Sequence, residues 1–274
     1  MAQLSINEMT TYRWSFEEDV THYRAAGIDA MGVWRQKIAD FGEERGIELL
    51  ADQGLKVSNL LWAGGFTGSD GHSLRESIKD GADAIRLAAS LKAGCLVVYT
   101  GGRNGHTQNH ARRLFMTALG ELLPLAAELR VTLAIEPMHP LCAGEWTYLT
   151  SLQEAMELVE SVASPRFKLV FDTYHFGSEP RVLDKVRRLL PHIAVVHLGD
   201  SKAPPDGDQN RSQLGDGVLP LREIVAALLD DGYAGYFDVE LMGEEIETSR
   251  YDVLLESTKE AFNKLVSAAT SYSS

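Results

Sequence analysis

Four ionisable residues in the second half of the chain each follow a short run that resembles a buried strand. They are Glu136, Asp172, His197 and Glu240, which come after the runs at 133–135, 169–171, 195–196 and 237–239. Converging carboxylates repel one another unless a cation or a shared proton compensates. Three carboxylates and one imidazole suit Mn²⁺, Mg²⁺, Co²⁺ or Zn²⁺, and a set without thiolates does not resemble a structural zinc site. The pattern therefore predicts a site for one divalent metal ion, and it leaves the identity of that ion open.

These residues can meet only if the runs before them are neighbouring parallel strands. Short apolar runs alternate with helix-patterned segments along the chain, as expected for βα units. The eight runs cover residues 4–7, 29–34, 56–62, 95–99, 131–135, 167–171, 193–197 and 235–239. The clearest helical segment is 107–130, where apolar residues recur three and four positions apart. Ser15 stands three residues before Glu18, and Ser151 three before Glu154, so both pairs predict capping boxes.

Eight βα units in about 250 residues predict an α/β fold, a (β/α)₈ TIM barrel. We expect a single domain over residues 1–274, with 266–274 as a frayed tail. A doubly wound sheet is the alternative, but no Gly-x-Gly-x-x-Gly follows the first run. Chemistry in a barrel gathers at the C-terminal ends of the strands. The four ionisable residues are therefore expected to share one rim.

The composition excludes several classes of partner. The 274 residues have a formal net charge of −13, whereas proteins that bind nucleic acids or anionic membranes usually present clustered lysine and arginine. Cys95 and Cys142 lack metal-site or redox spacing, so we expect two buried thiols in a reducing compartment. The first residues lack the basic and the apolar region of a signal peptide, and the sequence contains no run of 18 apolar residues. We therefore expect a cytoplasmic protein with no membrane or nucleic-acid partner.

Several motifs at the predicted strand ends resemble those of one superfamily. They are Ile135-Glu136-Pro137-Met138-His139-Pro140, Phe171-Asp172-Thr173-Tyr174-His175, Val196-His197-Leu198-Gly199-Asp200-Ser201-Lys202, Arg211 followed by Gly215-Asp216-Gly217, and Val239-Glu240. With these motifs the chain resembles the xylose isomerase-like superfamily of TIM barrels, which includes the sugar phosphate isomerases and epimerases. The resemblance covers nearly the whole chain and is strongest from the fourth strand onward. It identifies the superfamily but not one substrate.

The resemblance implies roles for the residues that match the motifs. Glu136, Asp172, His197 and Glu240 would bind the metal, and Glu136 and Glu240 would also be the acid/base pair on opposite faces of the substrate. His175 would contact substrate hydroxyls, or hold a second metal in branches that have one.

Further substrate contacts are expected at the same rim. Arg211 resembles the arginine of the superfamily that reaches back to a substrate oxygen. Trp34 and Trp62 fall near predicted strand ends, where an aromatic ring can stack on the apolar face of a sugar, so we expect both as pocket walls. His139 is a candidate pocket residue, with a solvated loop histidine as the alternative.

The apurinic endonuclease branch of the superfamily requires additional metal ligands. Its extra histidines come from the ends of the third and fourth strands and from an Asp-Arg-His motif after the seventh. Those places hold Trp62, Tyr99 and Asn210-Arg211-Ser212 in this chain. These differences, together with the negative charge, argue against a role in DNA repair.

The predicted site favours proton transfer next to a carbonyl. A divalent ion stabilises the enediolate that forms when a C–H proton leaves, and positioned carboxylates can remove and return that proton. We therefore expect an isomerase or epimerase of a sugar, cyclitol or related polyol, with a homodimer as a possible assembly. A dehydratase or other lyase, such as one acting on inosose or dehydroshikimate, is the alternative because it begins with the same proton loss. A non-catalytic sugar-binding protein is the alternative from another class, but a binder has no need of paired carboxylates around a metal.

Overall fold

The computed structural model describes residues 2–270, in which eight parallel strands form a closed barrel. The strands are β1 (Gln3–Asn7), β2 (Ala30–Trp34), β3 (Lys56–Ala63), β4 (Leu96–Val98), β5 (Leu133–Ile135), β6 (Phe167–Asp172), β7 (Ile193–Leu198) and β8 (Tyr236–Val239). Each strand pairs with the next in sequence, and β8 pairs with β1. Every predicted run overlaps an observed strand, and their ends differ by at most two residues. The predicted single-domain TIM barrel is confirmed.

Helices surround the barrel and follow the strands. They are α1 (Phe16–Ala25), α2 (Arg35–Phe41), α3 (Glu43–Gln53), α4 (Leu74–Ser90), α5 (Gln108–Glu128), α6 (Pro140–Ala143), α7 (Leu152–Val162), α8 (Thr173–Phe176), α9 (Val182–Leu189), α10 (Leu221–Asp230), α11 (Glu244–Glu247) and α12 (Tyr251–Thr270). Ser15 and Glu18 form the predicted capping box at the start of α1. Ser151 caps α7 by accepting a hydrogen bond from the backbone N–H of Glu154, which is the serine half of the predicted box.

The core has two apolar layers, one between the strands and the helices and one inside the barrel. Successive side chains of a strand point to opposite faces of the sheet. In β6, Phe171 belongs to the outer layer and Val170 to the inner layer. Asp172, two residues after Val170, therefore points into the barrel at its C-terminal end. The same alternation directs the functional side chains of the neighbouring strands inward.

The C-terminal tail differs from the sequence-based expectation, whereas the two cysteines agree with it. Residues 266–270, expected to begin a frayed tail, are the last turn of α12, whereas 271–274 lie outside the described residues. Cys95 and Cys142 are buried free thiols, as expected. Within residues 2–270, no helix is long and apolar enough to cross a membrane.

Candidate metal centre and substrate cavity

The ends of β5, β6, β7 and β8 bring four potential metal ligands together inside the rim. Glu136 directly follows β5, Asp172 ends β6, His197 is the penultimate residue of β7, and Glu240 directly follows β8. One ligand atom from each residue lies within 4.8 Å of those of the others. All four residues are buried, and Glu240 is the most exposed at 7%. The cluster that the sequence predicted is therefore formed, and it could hold a divalent ion.

The donor set fits such an ion in spacing and in chemistry. Metal–ligand bonds of about 2.0–2.6 Å place opposite ligands roughly 4–5 Å apart, which matches the spread of this cluster. Within the described part of the chain, both ring nitrogens of His175 are buried without a hydrogen-bond partner. Buried polar atoms are normally satisfied, because leaving one unpaired costs about 1–3 kcal/mol. The unsatisfied atoms beside the cluster are consistent with binding of an ion and a polar substrate.

His197 lies between the two glutamates. Its Nδ1 atom is 2.8 Å from Oε2 of Glu240 and 3.1 Å from Oε1 of Glu136. Burial acts to lower the pKa of His197, but the two carboxylates outweigh burial and raise this pKa well above its usual value. Glu136 and Glu240 therefore flank one imidazole nitrogen from two directions.

Arg211 balances part of the negative charge of the cluster. Its Nη2 atom lies 3.0 Å from Oδ2 of Asp172 and 3.5 Å from Oε1 of Glu240, and its Nη1 donates to the Glu240 carbonyl at 3.2 Å. Burial alone would raise the pKa of Glu240, but Arg211 and His197 together lower it to about 2. Glu240 is thus held as a carboxylate.

Glu136 is in a different electrostatic environment from Glu240. Burial raises its pKa above the usual value, although His197 acts in the opposite direction. The hydroxyl of Tyr99 donates to Oε2 of Glu136 at 2.8 Å. Tyr99 follows β4 at the same rim. Its role depends on the hydrogen bond to Glu136, which sequence analysis did not identify. The two glutamates of the cluster therefore differ in proton affinity.

Asp238 lies behind His197 inside the barrel. Its Oδ2 atom is 3.9 Å from Nε2 of His197, and it accepts hydrogen bonds from the side-chain amides of Asn7 and Asn59, each at 2.8 Å. Gly32 provides the space, since a Cβ atom there would lie 2.5 Å from the same oxygen. A buried carboxylate therefore faces the imidazole nitrogen that points away from the cluster.

The remaining sequence-predicted residues occupy different places at the rim. His175 is buried, and its Nε2 atom lies 3.9 Å from Oδ2 of Asp172. Burial lowers the pKa of this histidine to about 4, so it is neutral. The Nδ1 atom of His139 accepts from the backbone of Leu141 at 3.4 Å, which makes His139 the N-cap of α6.

Aromatic rings form the wall beside the cluster. Trp34 and Trp62 stack with their centroids 6.4 Å apart and line a shallow groove together. Trp62 also lines a separate cavity of about 390 Å³, together with Tyr99 and Trp146. All four tryptophans fall near predicted strand ends or loops, and sequence analysis favoured Trp34 and Trp62 over Trp146 as pocket walls.

Comparisons with known proteins agree with this architecture. An inosose isomerase of Halalkalibacterium halodurans is 28% identical over 167 residues, which cover 58% of this chain and 57% of the relative. A D-psicose 3-epimerase of Enterocloster bolteae is 30% identical over 154 residues, or 53% of this chain and 47% of that protein. The matched part thus spans about half the length of these curated relatives.

A solved structure and a family model extend the likeness to almost the whole chain. The crystal structure of protein SMc04130 from Sinorhizobium meliloti 1021 superposes with a TM-score of 0.88 at 29% identity, covering 96% of this chain and 98% of the other. The model of the family described as xylose isomerase-like TIM barrel matches residues 20–261. The chain belongs to the xylose isomerase-like TIM barrel family.

Proposed function

We propose that this chain is a divalent-metal-dependent isomerase or epimerase of a sugar or cyclitol. The observation that carries the proposal is the position of Glu136 and Glu240, whose carboxylates lie 3.1 Å and 2.8 Å from one nitrogen of His197 within a buried ligand set. The relatives named inosose isomerase and D-psicose 3-epimerase support the same class of reaction. Both names describe the movement of a proton next to a carbonyl.

The proposed metal ligands are Glu136, Asp172, His197 and Glu240. A bound divalent cation would supply positive charge that stabilises the negative charge developing on a carbonyl oxygen. The oxygen-rich set with one imidazole suits Mn²⁺, and Mg²⁺, Co²⁺ and Zn²⁺ are the alternatives for reconstitution.

Glu136 and Glu240 are the proposed acid/base pair. Glu136 has the higher proton affinity, because burial raises its pKa whereas Arg211 and His197 outweigh burial at Glu240, so Glu136 is suited to take a proton from carbon and to give it back. Glu240, held as a carboxylate by Arg211 and His197, is ready to accept a proton from the other side. Two such groups on opposite faces of one carbon invert its configuration.

Buried donors beside the pair are proposed to orient the substrate. Within residues 2–270, the Nε atom of Arg211 and both ring nitrogens of His175 have no hydrogen-bond partner. Because His175 is neutral, it can donate from one nitrogen and accept at the other, as an alcohol group requires. Trp34, Trp62 and His139 are further proposed contacts at the rim.

The proposal is tested by exchange of substrate protons with deuterated water. D-Psicose and D-fructose, which differ at C3, are incubated separately with the protein reconstituted with Mn²⁺, and exchange at C3 is followed by NMR. In a two-base epimerase each glutamate removes the proton from one epimer. Glu136→Gln and Glu240→Gln should therefore each abolish exchange in a different epimer, and each should slow interconversion by about 10²- to 10⁴-fold.

The controls separate loss of a base from loss of the ion. Metal content is measured for every variant, since glutamine keeps one oxygen ligand. Glu245→Gln removes an exposed carboxylate that pairs with Lys202, and it should leave all rates unchanged. If both epimers still exchange at wild-type rates in a metal-loaded Glu240→Gln variant, the two-base assignment is wrong. Loss of water from an inosose in place of exchange would identify a dehydratase.

A further inference from the structure

A cavity of about 390 Å³ opens at the rim on the side of β2, β3 and β4, away from the strands that carry the ligands. Tyr99 belongs to both places, because its ring lines the cavity and its hydroxyl donates to Glu136. The Tyr99 side chain therefore lies between the cavity and a proposed acid/base group. A substrate that reacts at Glu136 would reach this space by passing the Tyr99 ring. The volume of the cavity lies within the range of small-molecule sites.

The charge of the cavity is strongly negative. Four carboxylates line it, from Asp70, Glu76, Asp80 and Glu145, and Arg35 is the only arginine or lysine among the described lining residues. Both terminal nitrogens of Arg35 lie 2.8 Å from the Asp80 carboxylate, and one also donates to a backbone carbonyl, whereas its buried Nε atom has no hydrogen-bond partner. The cavity walls therefore have an excess of negative charge, and the terminal nitrogens of Arg35 are already paired with a carboxylate.

The arginine of the metal centre is engaged as well. Arg211 contacts the carboxylates of Asp172 and Glu240 and is fully buried between them. Phosphate groups are normally bound by arginine or lysine, or by several backbone N–H groups at a helix N-terminus. A fork of two terminal nitrogens from either arginine could reach a phosphate only by breaking an existing ion pair, because those nitrogens already contact carboxylates.

The apolar part of the cavity is an arrangement of three rings. The centroid of Trp146 lies 5.0 Å from that of Trp62 and 5.6 Å from that of Tyr99, and both pairs are edge to face. Trp146 is 39% exposed at the cavity mouth. Aromatic faces pack against the C–H face of a sugar or polyol, while the carboxylates nearby accept hydrogen bonds from its hydroxyl groups. This combination fits an uncharged group rich in hydroxyls.

We propose that this cavity binds the non-reacting part of the substrate, and that this part is an uncharged polyol chain or sugar ring. The natural substrate is therefore not a phosphate ester. This inference rests on the proposed function, since it assigns the substrate class of the same site. It names Trp62 and Trp146 as the residues that contact the uncharged group, and Asp70 and Glu145 as residues that repel a phosphate.

The first test measures binding without turnover, so it does not depend on the proposed reaction. D-Glucitol and D-glucitol 6-phosphate, which have no carbonyl, are titrated into the Mn²⁺-loaded protein by calorimetry. We expect D-glucitol to bind at least tenfold more tightly than its phosphate. Trp146→Ala should weaken D-glucitol binding, whereas Trp14→Phe should not, because Trp14 packs on His22 and Tyr251 elsewhere. Equal or tighter binding of the phosphate, no binding of either, or no effect of Trp146→Ala would overturn the inference.

The second test adds turnover and removes the negative charge. For D-psicose and D-psicose 6-phosphate we expect kcat/KM to favour the free sugar at least tenfold. Asp70→Asn combined with Glu145→Gln should reduce this preference, mainly by lowering KM for the phosphate. A preference for the phosphate in the wild-type protein would refute the assigned substrate class while leaving the reaction type intact. Absence of exchange with either sugar, together with the expected calorimetry, would refute the reaction type and leave the assignment of the cavity intact.

Discussion

The Nδ1 atom of His197 lies 2.8 Å from Oε2 of Glu240, so the imidazole and the carboxylate form a buried ion pair when His197 is protonated. Burial alone would lower the pKa of His197, but Glu136 and Glu240 raise it well above the usual value. An imidazole must lose this proton before its nitrogen can ligate a metal. Metal binding and deprotonation at this position are therefore coupled.

This coupling predicts that metal affinity rises with pH. Because the two glutamates raise the pKa of His197, each unit of pH below that pKa should increase the Mn²⁺ affinity up to tenfold. Calorimetry in buffers of different ionisation enthalpy should show release of about one proton per ion. An affinity that stays constant between pH 6 and 8, with no proton release, would contradict the prediction.

Asp238→Asn should weaken metal binding although Asp238 is not a proposed ligand. The carboxylate faces Nε2 of His197, and a group behind a ligating histidine fixes its orientation and typically contributes 10- to 100-fold in metal affinity. We expect a loss of that order, measured by competition with a chelating dye. Asp83→Asn, at an exposed position on α4, is the matched control and should keep the wild-type affinity. Equal affinities in both variants would show that Asp238 has no such role.

Tyr99→Phe should lower kcat more than it changes KM. The hydroxyl donates to Glu136, and a hydrogen bond to a charged group contributes about 1.5–3 kcal/mol, which corresponds to roughly a 10- to 150-fold effect. The lost donor favoured the carboxylate form, so the pKa of Glu136 should rise and the acidic limb of the pH–rate profile should move to higher pH. Tyr148→Phe is the control, since the buried Tyr148 hydroxyl has no hydrogen-bond partner within the described range. A Tyr99→Phe profile identical to that of wild type would refute the role of this contact.

Asp19→Ala should be strongly destabilising. Nζ of Lys37 lies 2.6 Å from Oδ2 of Asp19, and both side chains are buried beneath the β1 end of the rim. Removing the carboxylate takes away the ion-pair partner of the buried Lys37 ammonium, and breaking a buried pair in this way costs about 3–5 kcal/mol. Guanidinium unfolding should show this loss, whereas Asp83→Ala, which breaks only exposed pairs with Lys79 and Arg86, should cost less than about 1 kcal/mol. Similar losses in the two variants would contradict the argument.

The positions of the ligand residues at the strand ends could be predicted because two local sequence patterns agree. Apolar runs located the strands, and an ionisable residue directly after such a run belongs at the C-terminal rim of a barrel. Asp172 illustrates this, since it continues the inward face set by Val170. The conclusion needs no knowledge of the loops.

The residues that sequence analysis missed depend on contacts between distant segments. Tyr99 reaches Glu136 across two neighbouring strands, and Asp238 meets Asn7 and Asn59 only once the barrel is closed. Trp146 joins the cavity because backbone N–H groups of Gly101 and Gly102 hold its loop. Each of these contacts depends on how distant strands and loops are aligned in three dimensions, which local periodicity does not determine.

The pairing of β1 with β8 determines when the site can form during protein synthesis. Gln3 pairs with Tyr236 and Ile6 with Val239, so β1 is paired with a segment made more than 220 residues later. Glu240, the last of the four proposed ligands, follows β8 directly. A nascent chain on the ribosome therefore cannot offer the complete ligand set until the strand that closes the barrel has emerged. Binding of an ion by the complete proposed set would therefore have to wait for closure of the barrel.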